Sequence, residues 1–266
     1  MFISPRGIAY ETLDLTAPWR SRGAPIVLLH GIGSSRQCWA DWVPVLAGDH
    51  PIIRQDLRGF AQSAGLPMDQ PLMDVLIDDV LDLMPRDEPA HLVGESAGGS
   101  ILLELALRHP LRVASLTLSN AAIVGRQIGQ IGGWQALFDV GGDAWNEHMM
   151  ACRFAPGALD ARSADWYRTQ QGVTRAAAAM AIANLLAGID QRAALPGLKP
   201  PLMVLLPGDS PFVSTAMYDD LPRWLPKARR HVFPGVRHGL PFSHGRQCAL
   251  LLREFIDHQG RACIEA

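Results

Sequence analysis

The sequence predicts an α/β domain with a mostly parallel β-sheet flanked by helices. Short runs rich in strand-forming residues alternate with helical patterns along the 266 residues, and this alternation is typical of parallel strands joined by crossover helices. Two of the runs, PIVLLH from Pro25 and PLMVLLPG from Pro201, are almost continuously apolar, as expected for strands that a sheet buries on both faces. The length of the chain fits one large domain, or one domain with an insertion.

Seven strands and four helices are predicted from these patterns. The strands are expected over residues 8–15, 25–29, 52–55, 90–94, 114–118, 202–206 and 231–234. The helices are expected over residues 39–46, 72–84, 97–108 and 246–258. Pro85 and Pro110 follow the second and third of these helices, where proline ends a helix.

One long segment, residues 121–195, interrupts the alternation. It contains no clear buried strand, and it holds several tryptophans and the alanine-rich stretch TRAAAAMAIANLLAGI. We therefore expect an α/β core formed by residues 1–120 and 196–266, with residues 121–195 as a helical cap, or lid. Such a cap would cover the carboxyl ends of the strands, where open α/β sheets bind their ligands. The alternative is a helical insertion that only packs against the sheet.

Composition and charge argue against several classes of partner. Hydrophobic residues make up 48% of the chain and charged residues 19%, which favours a globular protein over a disordered one. The formal net charge of −2 argues against a nucleic acid or an anionic membrane, since both attract a clustered positive field. No membrane span or signal peptide is evident, and the four cysteines form no CxxC pair. These features predict a cytoplasmic protein.

A candidate nucleophile lies in the stretch HLVGESAGGS, residues 91–100. The stretch contains a G-x-S-x-G pattern, with Ser96 between Gly94 and Gly98, directly after a predicted strand and before a predicted helix. A sharp turn that presents a side chain between strand and helix brings backbones close together and needs small residues. The other interpretation is an ordinary helix N-cap, but an N-cap does not need glycine on both sides.

A serine nucleophile needs a base, and His238 is the best candidate. It lies in the loop after the last predicted strand, with Gly235 and Gly239 nearby. Two rivals are less suitable. His244 lies next to the start of the final helix, where the helix dipole disfavours a cation, and His231 lies inside a strand.

The acid that orients the base is expected between the serine and the histidine in the chain. Asp209 follows a buried strand immediately, and we favour it for this role. Its other interpretation is a residue of an Asx-type turn. The competitors, which either follow no strand or carry no charge, are Asp190, Asp219, Asp220 and Asn120.

Backbone donors for an oxyanion are expected near the HGIG stretch, residues 30–33. Its glycines free the chain to aim N–H groups at a substrate oxygen, and the N–H groups of Ile32 and Ala97 are the natural pair. The alternative is a tight turn without a ligand. The sequence contains no G-x-x-x-x-G-K-[ST] or G-x-G-x-x-G motif and no set of residues with metal-ligand spacing. No cofactor and no metal are expected.

With Ser96, Asp209, His238 and the HGIG loop in this order, the chain resembles the α/β-hydrolase fold family over nearly its whole length. Further matching stretches are QDLRGFAQSA, HPLRVASLTLSNAA and LLREFI. Within the family it is similar to 3-oxoadipate enol-lactonase and to small carboxylesterases. The resemblance implies a helical lid inserted after the sixth core strand and a structural role for the Asp56–Arg58–Gly59 stretch.

The acid loop departs from the family pattern, which reads G-x-x-D-x-x-x-P. Here Gly208 and Asp209 are adjacent, and Ser210 precedes Pro211. Aligned from the proline, Ser210 takes the place of the acid.

Three functions are consistent with the sequence. The resemblance implies a serine hydrolase that cleaves a carboxylic ester or an (enol-)lactone of a small substrate through an acyl-enzyme on Ser96. The first alternative is hydrolysis of a carbon–carbon bond in a ring-fission (meta-cleavage) diketone acid, and Arg126 or Arg153 is a candidate to receive a substrate carboxylate in either case. The second alternative is a non-catalytic member that binds a ligand. The acyl and leaving groups stay open, as does the formation of a homo-oligomer.

Overall fold

Residues 1–141 and 143–264 are described by the structure, which is a computed structural model. Among these residues, eight strands form one sheet. The strands are β1 (Phe2–Ile3), β2 (Ala9–Leu13), β3 (Ile26–Leu29), β4 (Ile52–Gln55), β5 (Ala90–Glu95), β6 (Val113–Ser119), β7 (Leu202–Pro207) and β8 (Arg229–Phe233). Their order across the sheet is β1-β2-β4-β3-β5-β6-β7-β8.

The sheet is parallel except at one edge. Strands β1 and β2 pair antiparallel, as do β2 and β4, whereas all pairs from β4 across to β8 are parallel. The predicted α/β class with a mostly parallel sheet is therefore confirmed, and each of the seven predicted strands has an observed counterpart. Strand β1 was not predicted, because a strand of two residues is too short to show a hydrophobic period.

Helices flank the sheet and connect its parallel strands. They are α1 (Val43–Leu46), α2 (Leu72–Leu83), α3 (Ala97–Arg108), α4 (Trp134–Val140), α5 (Ala144–Arg153), α6 (Ala161–Gly172), α7 (Ala176–Ala187), α8 (Leu221–Trp224), α9 (Leu240–Ser243) and α10 (Gly245–Ile264). The single helix predicted over residues 39–46 is wrong, because a 3₁₀ turn at Arg36–Trp39 precedes a separate short α1. Pro44 lies in the first turn of α1, where a missing N–H costs least.

The segment of residues 121–195 is helical, as predicted from its lack of buried strands. Helices α4 to α7 lie between β6 and β7, and the one β-bridge described there joins Val124 to Asp190. Buried side chains of α5 and α7, including Trp145 and Ile182, belong to the same apolar cluster as Ile101 of α3. The segment therefore packs on the core, while its role as a lid and the exact division of the chain stay predictions.

Apolar side chains cover both faces of the sheet. In β3, Val27 and Leu29 pack on the face that carries α2 and α3, whereas Ile26 and Leu28 pack on the face that carries α10. All four are fully buried, which explains why this strand is apolar at every position. None of the described helices combines the length and the apolar character that a membrane crossing requires.

Candidate active site

Ser96 lies on a sharp turn between the carboxyl end of β5 and the start of α3. Its φ of 51° and ψ of −118° form a strained conformation for an L residue, which persists only where the surroundings enforce it. Both flanking glycines are required: a Cβ on Gly98 would lie 2.3 Å from the carbonyl oxygen of Leu29, and one on Gly94 would lie 2.5 Å from Cα of Gly99. Within the described residues the Ser96 side chain forms no capping hydrogen bond to α3. Ser96 therefore does not cap the helix, and its side chain instead faces the adjacent cavity.

His238 lies in the loop between β8 and α9 and reaches this serine. Its Nε2 is 2.9 Å from Oγ of Ser96, so two residues far apart in the sequence meet, and their catalytic roles stay a prediction. The main chain of His238 is held on both sides: its N–H donates to the carbonyl of Cys152 at 3.3 Å, and its carbonyl accepts from Nδ2 of Asn120 at 2.6 Å. Asn120, one of the competing positions for the acid, thus contacts the main chain of the histidine and not its ring.

A contact between serine and histidine is not distinctive by itself in this protein. Nδ1 of His91 lies 2.8 Å from Oγ of Ser115, and Nδ1 of His244 lies 2.9 Å from Oγ of its neighbour Ser243. His91 is near the start of β5, at the opposite end of the strand from Ser96. Neither histidine lines the cavity beside Ser96. What distinguishes the Ser96 pair is its place at the carboxyl ends of the strands, facing a cavity.

Asp209, the predicted orienting acid, does not reach the base. Its side chain is 67% exposed, and its carboxylate lies 3.9 Å from Nε of Arg237. Ser210 instead places Oγ 2.9 Å from Nδ1 of His238. The N–H of Asp209 donates to the carbonyl of Val236 at 3.0 Å, which joins the loop after β7 to the loop that carries His238. In this arrangement the side chain of Asp209 faces solvent and that of Ser210 contacts the imidazole ring. The structure contradicts the choice of Asp209, and the alignment from the proline, which puts Ser210 in the place of the acid, describes the loop better.

We expect Asp209→Asn to change kcat/KM by less than about twofold, because an exposed carboxylate that does not contact the base has little effect on proton transfer. The substitution keeps the shape of the side chain and removes its charge. Steady-state kinetics on the intact protein provides the measurement. A fall of about 10³-fold or more would show that Asp209 reaches His238 during turnover.

The two predicted oxyanion donors flank the nucleophile. Ile32 and Ala97 line the same cavity as Ser96. Ala97 is the first residue of α3, so its N–H is one of the donors that a helix leaves without an intrahelical partner. The N–H of Ile32 forms no hydrogen bond to a described residue, whereas the preceding N–H of Gly31 donates to Oε2 of Glu95 at 3.2 Å. Both N–H groups are available, and their role stays a prediction.

The cavity beside Ser96 lies between the sheet and the segment of residues 121–195. Its volume is about 20 Å³, and Arg153 contributes a positive charge to a mainly apolar wall. Among the described residues, no group of His, Cys, Asp or Glu side chains is arranged to hold a metal ion. The apolar lining residues are Ile32, Ala97, Ala122, Ile128, Ile131, Trp134, Met149, Leu186, Phe212 and Val213.

Arg153, the last residue of α5, extends from the helical segment into the core. Its side chain is only 2% exposed, and its Nη1 donates to the hydroxyl of Tyr167 at 2.9 Å and lies 3.6 Å from Oε1 of Glu95. Its Nη2 donates to the carbonyl of Ile32, beside the proposed oxyanion donors. Its Nε is buried without a partner among the described residues.

Sequence reasoning named two arginines but missed this network. Arg126 is 81% exposed and lies 3.9 Å from Asp190, and it does not line the cavity. Arg153 does line it, but its pairing with Glu95 was not expected. The available signal was a carboxylate inside the G-x-S-x-G pattern, directly before the serine, where a buried charge needs a partner.

Burial holds the pKa of His238 well below its ordinary value, and the nearby Arg153 guanidinium lowers it further. Among the described residues, no carboxylate hydrogen-bonds to the ring to oppose this shift. Burial also raises the pKa of Glu95, although Arg153 and the N–H of Gly31 act in the opposite direction. The imidazole is therefore neutral at neutral pH.

We expect kcat/KM to stay at its neutral-pH value as the pH falls well below 6.5, which is the ordinary pKa of a histidine. A general base must be unprotonated, and a lowered pKa keeps His238 unprotonated until the pH falls below that lowered value. The measurement is kcat/KM for an uncharged ester over roughly pH 4 to 9, with circular dichroism as a check on folding. An acidic limb centred at or above pH 6.5 would contradict the expectation.

Comparisons with known proteins agree with this architecture. The family model for the alpha/beta hydrolase fold matches residues 24–245. A 2-hydroxymuconate semialdehyde hydrolase of Pseudomonas sp. (strain CF600) is 28% identical over 263 residues, covering 91% of this chain and 90% of that protein. A pimeloyl-[acyl-carrier protein] methyl ester esterase of Aromatoleum aromaticum is 29% identical over 248 residues, covering 87% and 97%.

The similarity extends to solved structures. The enol-lactonase from Burkholderia xenovorans LB400 superposes with a TM-score of 0.79 at 22% identity, covering 94% of this chain and 96% of that one. At this identity the match shows the fold alone. Because the family model spans most of the sequence, the predicted resemblance is confirmed, and the chain belongs to the α/β-hydrolase fold family.

Proposed function

We propose that this protein is a serine hydrolase that cleaves a carboxylic ester or a lactone of a small substrate through an acyl-enzyme on Ser96. The observation that carries the proposal is the 2.9 Å contact between Oγ of Ser96 and Nε2 of His238. This contact lies at a strained turn facing a cavity, where a nucleophile and its base are needed. The similarity to a methyl ester esterase over 87% of the chain supports an ester as the bond that is cleaved.

In the first half of the reaction, Oγ of Ser96 attacks the substrate carbonyl while Nε2 of His238 accepts the hydroxyl proton. The carbonyl oxygen becomes negative and accepts hydrogen bonds from the N–H groups of Ile32 and Ala97. Each such donor is worth about 3 kcal/mol of barrier in serine hydrolases. His238 then gives the proton to the leaving alcohol or enol oxygen, and the acyl-enzyme remains.

In the second half, a water molecule replaces the leaving group and donates a proton to His238 as it attacks the acyl carbon. The same two N–H groups stabilise the second tetrahedral intermediate. Collapse of that intermediate returns the proton to Ser96 and releases the acid. For a lactone the alcohol and the acid are parts of one molecule, so a single ring-opened product leaves.

The cavity favours a substrate with a small apolar acyl group. Its wall combines side chains of the core, such as Phe212, with side chains of the helical segment, such as Trp134 and Met149. Its volume of about 20 Å³ is little more than one water molecule needs, so side chains of the wall must move to admit a substrate. This wall supports the choice of a small molecule as the partner.

Hydrolysis of a carbon–carbon bond is the second candidate, and Arg153 is the observation that favours it. The buried Nε of Arg153 has no partner among the described residues, and the side chain lines the cavity. A substrate carboxylate would accept a charge-assisted hydrogen bond there. The similarity to a 2-hydroxymuconate semialdehyde hydrolase over 91% of the chain supports the same candidate.

A substrate panel separates these candidates. We would measure turnover of short acyl esters, an enol-lactone and a ring-fission diketone acid under identical conditions. The proposal expects the highest kcat/KM for an ester or a lactone. Preferential turnover of the diketone acid would replace it with the second candidate.

A non-catalytic, ligand-binding protein is the remaining alternative, and the lack of a described carboxylate at the His238 ring is the observation that favours it. A fluorophosphonate probe tests this alternative without knowledge of the substrate. The proposal expects covalent labelling of Ser96 in the folded protein. Failure to label, together with no turnover of the panel, would favour the ligand-binding protein.

A further inference from the structure

The hydroxyl of Ser210 makes three polar contacts. Its Oγ lies 2.9 Å from Nδ1 of His238, and it accepts hydrogen bonds from the backbone N–H groups of Phe212 at 3.2 Å and of Val213 at 3.1 Å. The side chain is half-buried and borders an open cleft that Asp209 also lines. Ser210 is therefore held firmly in place, on the side of the ring away from Ser96.

These contacts decide the direction of the hydrogen bond between Ser210 and the ring. A serine hydroxyl has one hydrogen to donate and two lone pairs to accept with. A backbone N–H can only donate, so Phe212 and Val213 together occupy both lone pairs. The remaining partner, Nδ1 of His238, must then receive the hydroxyl hydrogen.

A neutral imidazole carries one hydrogen and one lone pair on its two nitrogens. If Nδ1 of His238 accepts from Ser210, the ring hydrogen is on Nε2. The Nε2–H group then donates to Oγ of Ser96, which is the reverse of the direction that a general base requires. A carboxylate in the place of Ser210 would impose the opposite arrangement, because a carboxylate can only accept.

We propose that Ser210 is a positioning residue that holds His238 as the Nε2–H tautomer and so keeps Ser96 unactivated in the resting enzyme. This inference rests on the proposed function in one respect: the consequence for rate presumes that His238 is the base. The tautomer itself follows from the hydrogen bonds alone.

The reaction then needs a rearrangement before the serine can attack. Water in the cavity takes the hydrogen from Nε2, and water in the open cleft supplies one to Nδ1, so no net charge is created. Ser210 then turns its own hydrogen away and gives up one of its two backbone hydrogen bonds to accept from Nδ1–H. His238 lines the cavity beside Ser96, and the open cleft beside Ser210, which Gln130 and Arg237 also line, is the route for the second water. In the transition state the imidazolium of His238 lacks a negative partner, so turnover is slow for a protein with this nucleophile and base.

Ser210→Asp tests the proposal, with Ser210→Asn as the matched control of nearly equal size. An aspartate accepts from Phe212, Val213 and Nδ1–H of His238 together and stabilises the imidazolium. An asparagine side chain can still donate to Nδ1 and carries no charge. The cleft gives the longer side chain room to adjust. We expect kcat/KM of the aspartate variant to exceed that of the asparagine variant by about 100-fold or more, and to exceed that of the unaltered enzyme.

The tautomer is measured directly by long-range ¹H–¹⁵N correlation spectra at neutral pH, with His238→Gln identifying the signals. We expect hydrogen on Nε2 in the unaltered protein and on Nδ1 in Ser210→Asp. Hydrogen on Nδ1 in the unaltered protein would overturn the proposal. So would an aspartate variant that has hydrogen on Nδ1 yet turns over no faster than the asparagine variant. If the tautomers are as expected but no variant hydrolyses the panel or reacts with fluorophosphonate, the tautomer inference holds and the proposed function fails.

Discussion

Replacing Ser96 with alanine is expected to lower kcat/KM for an ester by at least about 10³-fold. The substitution removes the atom that forms the acyl-enzyme and leaves the proposed oxyanion donors of Ile32 and Ala97 in place. Residual turnover would come from those donors and from binding alone. The measurement is steady-state kinetics on the best ester or lactone of the panel, together with loss of fluorophosphonate labelling.

Ser115→Ala is the matched control for this experiment. Ser115 also contacts a histidine, His91, at 2.8 Å, and it is also buried. This pair is remote from the cavity, so the variant should keep both labelling and turnover. Near-normal turnover by Ser96→Ala would contradict the proposed nucleophile, and equal losses in both variants would point to a general effect on folding.

Arg153→Met is expected to lower the free energy of unfolding by about 3 kcal/mol or more at neutral pH. The substitution leaves the carboxylate of Glu95 in the core without its cation, and it removes the donors to Tyr167 and to the carbonyl of Ile32. An unpaired buried charge costs more than the pair itself contributes. Urea unfolding gives the free energy of unfolding directly.

A second substitution separates the charge from the packing. The double variant Arg153→Met/Glu95→Gln buries no unpaired charge, and the glutamine oxygen can still accept from the N–H of Gly31. Most of the lost stability should therefore return. If the double variant is no more stable than Arg153→Met, the ion pair is not the cause of the loss.

The loss in Arg153→Met should also depend on pH. Burial already raises the pKa of Glu95 above its ordinary value, and removal of the guanidinium raises the pKa further. A carboxyl whose pKa is higher in the folded state stabilises folding at low pH, and this contribution is lost as pH rises through the folded-state pKa. The variant should therefore be less impaired near pH 5 than near pH 8, relative to the unaltered protein at the same pH.

Several features of the fold and site follow from local sequence. The strands and α3 were predicted closely because continuous apolar runs, glycine and proline act over a few residues. Ser96 was chosen as the candidate nucleophile because its turn needs glycine at Gly94 and Gly98. In the structure, a Cβ added to Gly98 or Gly94 would lie only 2.3 or 2.5 Å from a backbone atom. His238 was chosen as the candidate base because it follows the last strand, and the order of strands and helices can be predicted from local patterns.

Other features depend on contacts between distant segments. Arg153 meets Glu95 and Ile32 only because α5 folds back over the core, and no local pattern encodes that approach. Asn120 lies at a position where the acid could lie and was set aside because it carries no charge. In the structure its side-chain amide donates to the carbonyl of His238. For Arg153 and Asn120 alike, the sequence shows which hydrogen-bonding groups the side chain carries but not which residue it contacts.

By itself, the sequence determined the α/β sheet, the turn that presents Ser96 and the histidine that meets it, because each depends on short-range backbone requirements and on element order. Only the tertiary structure decided which neighbour faces Nδ1 of His238. Asp209 and Ser210 are adjacent, and a shift of one residue in a loop reverses which side chain points inward. That register depends on the hydrogen bond from Asp209 to Val236, which joins two loops across the sheet edge.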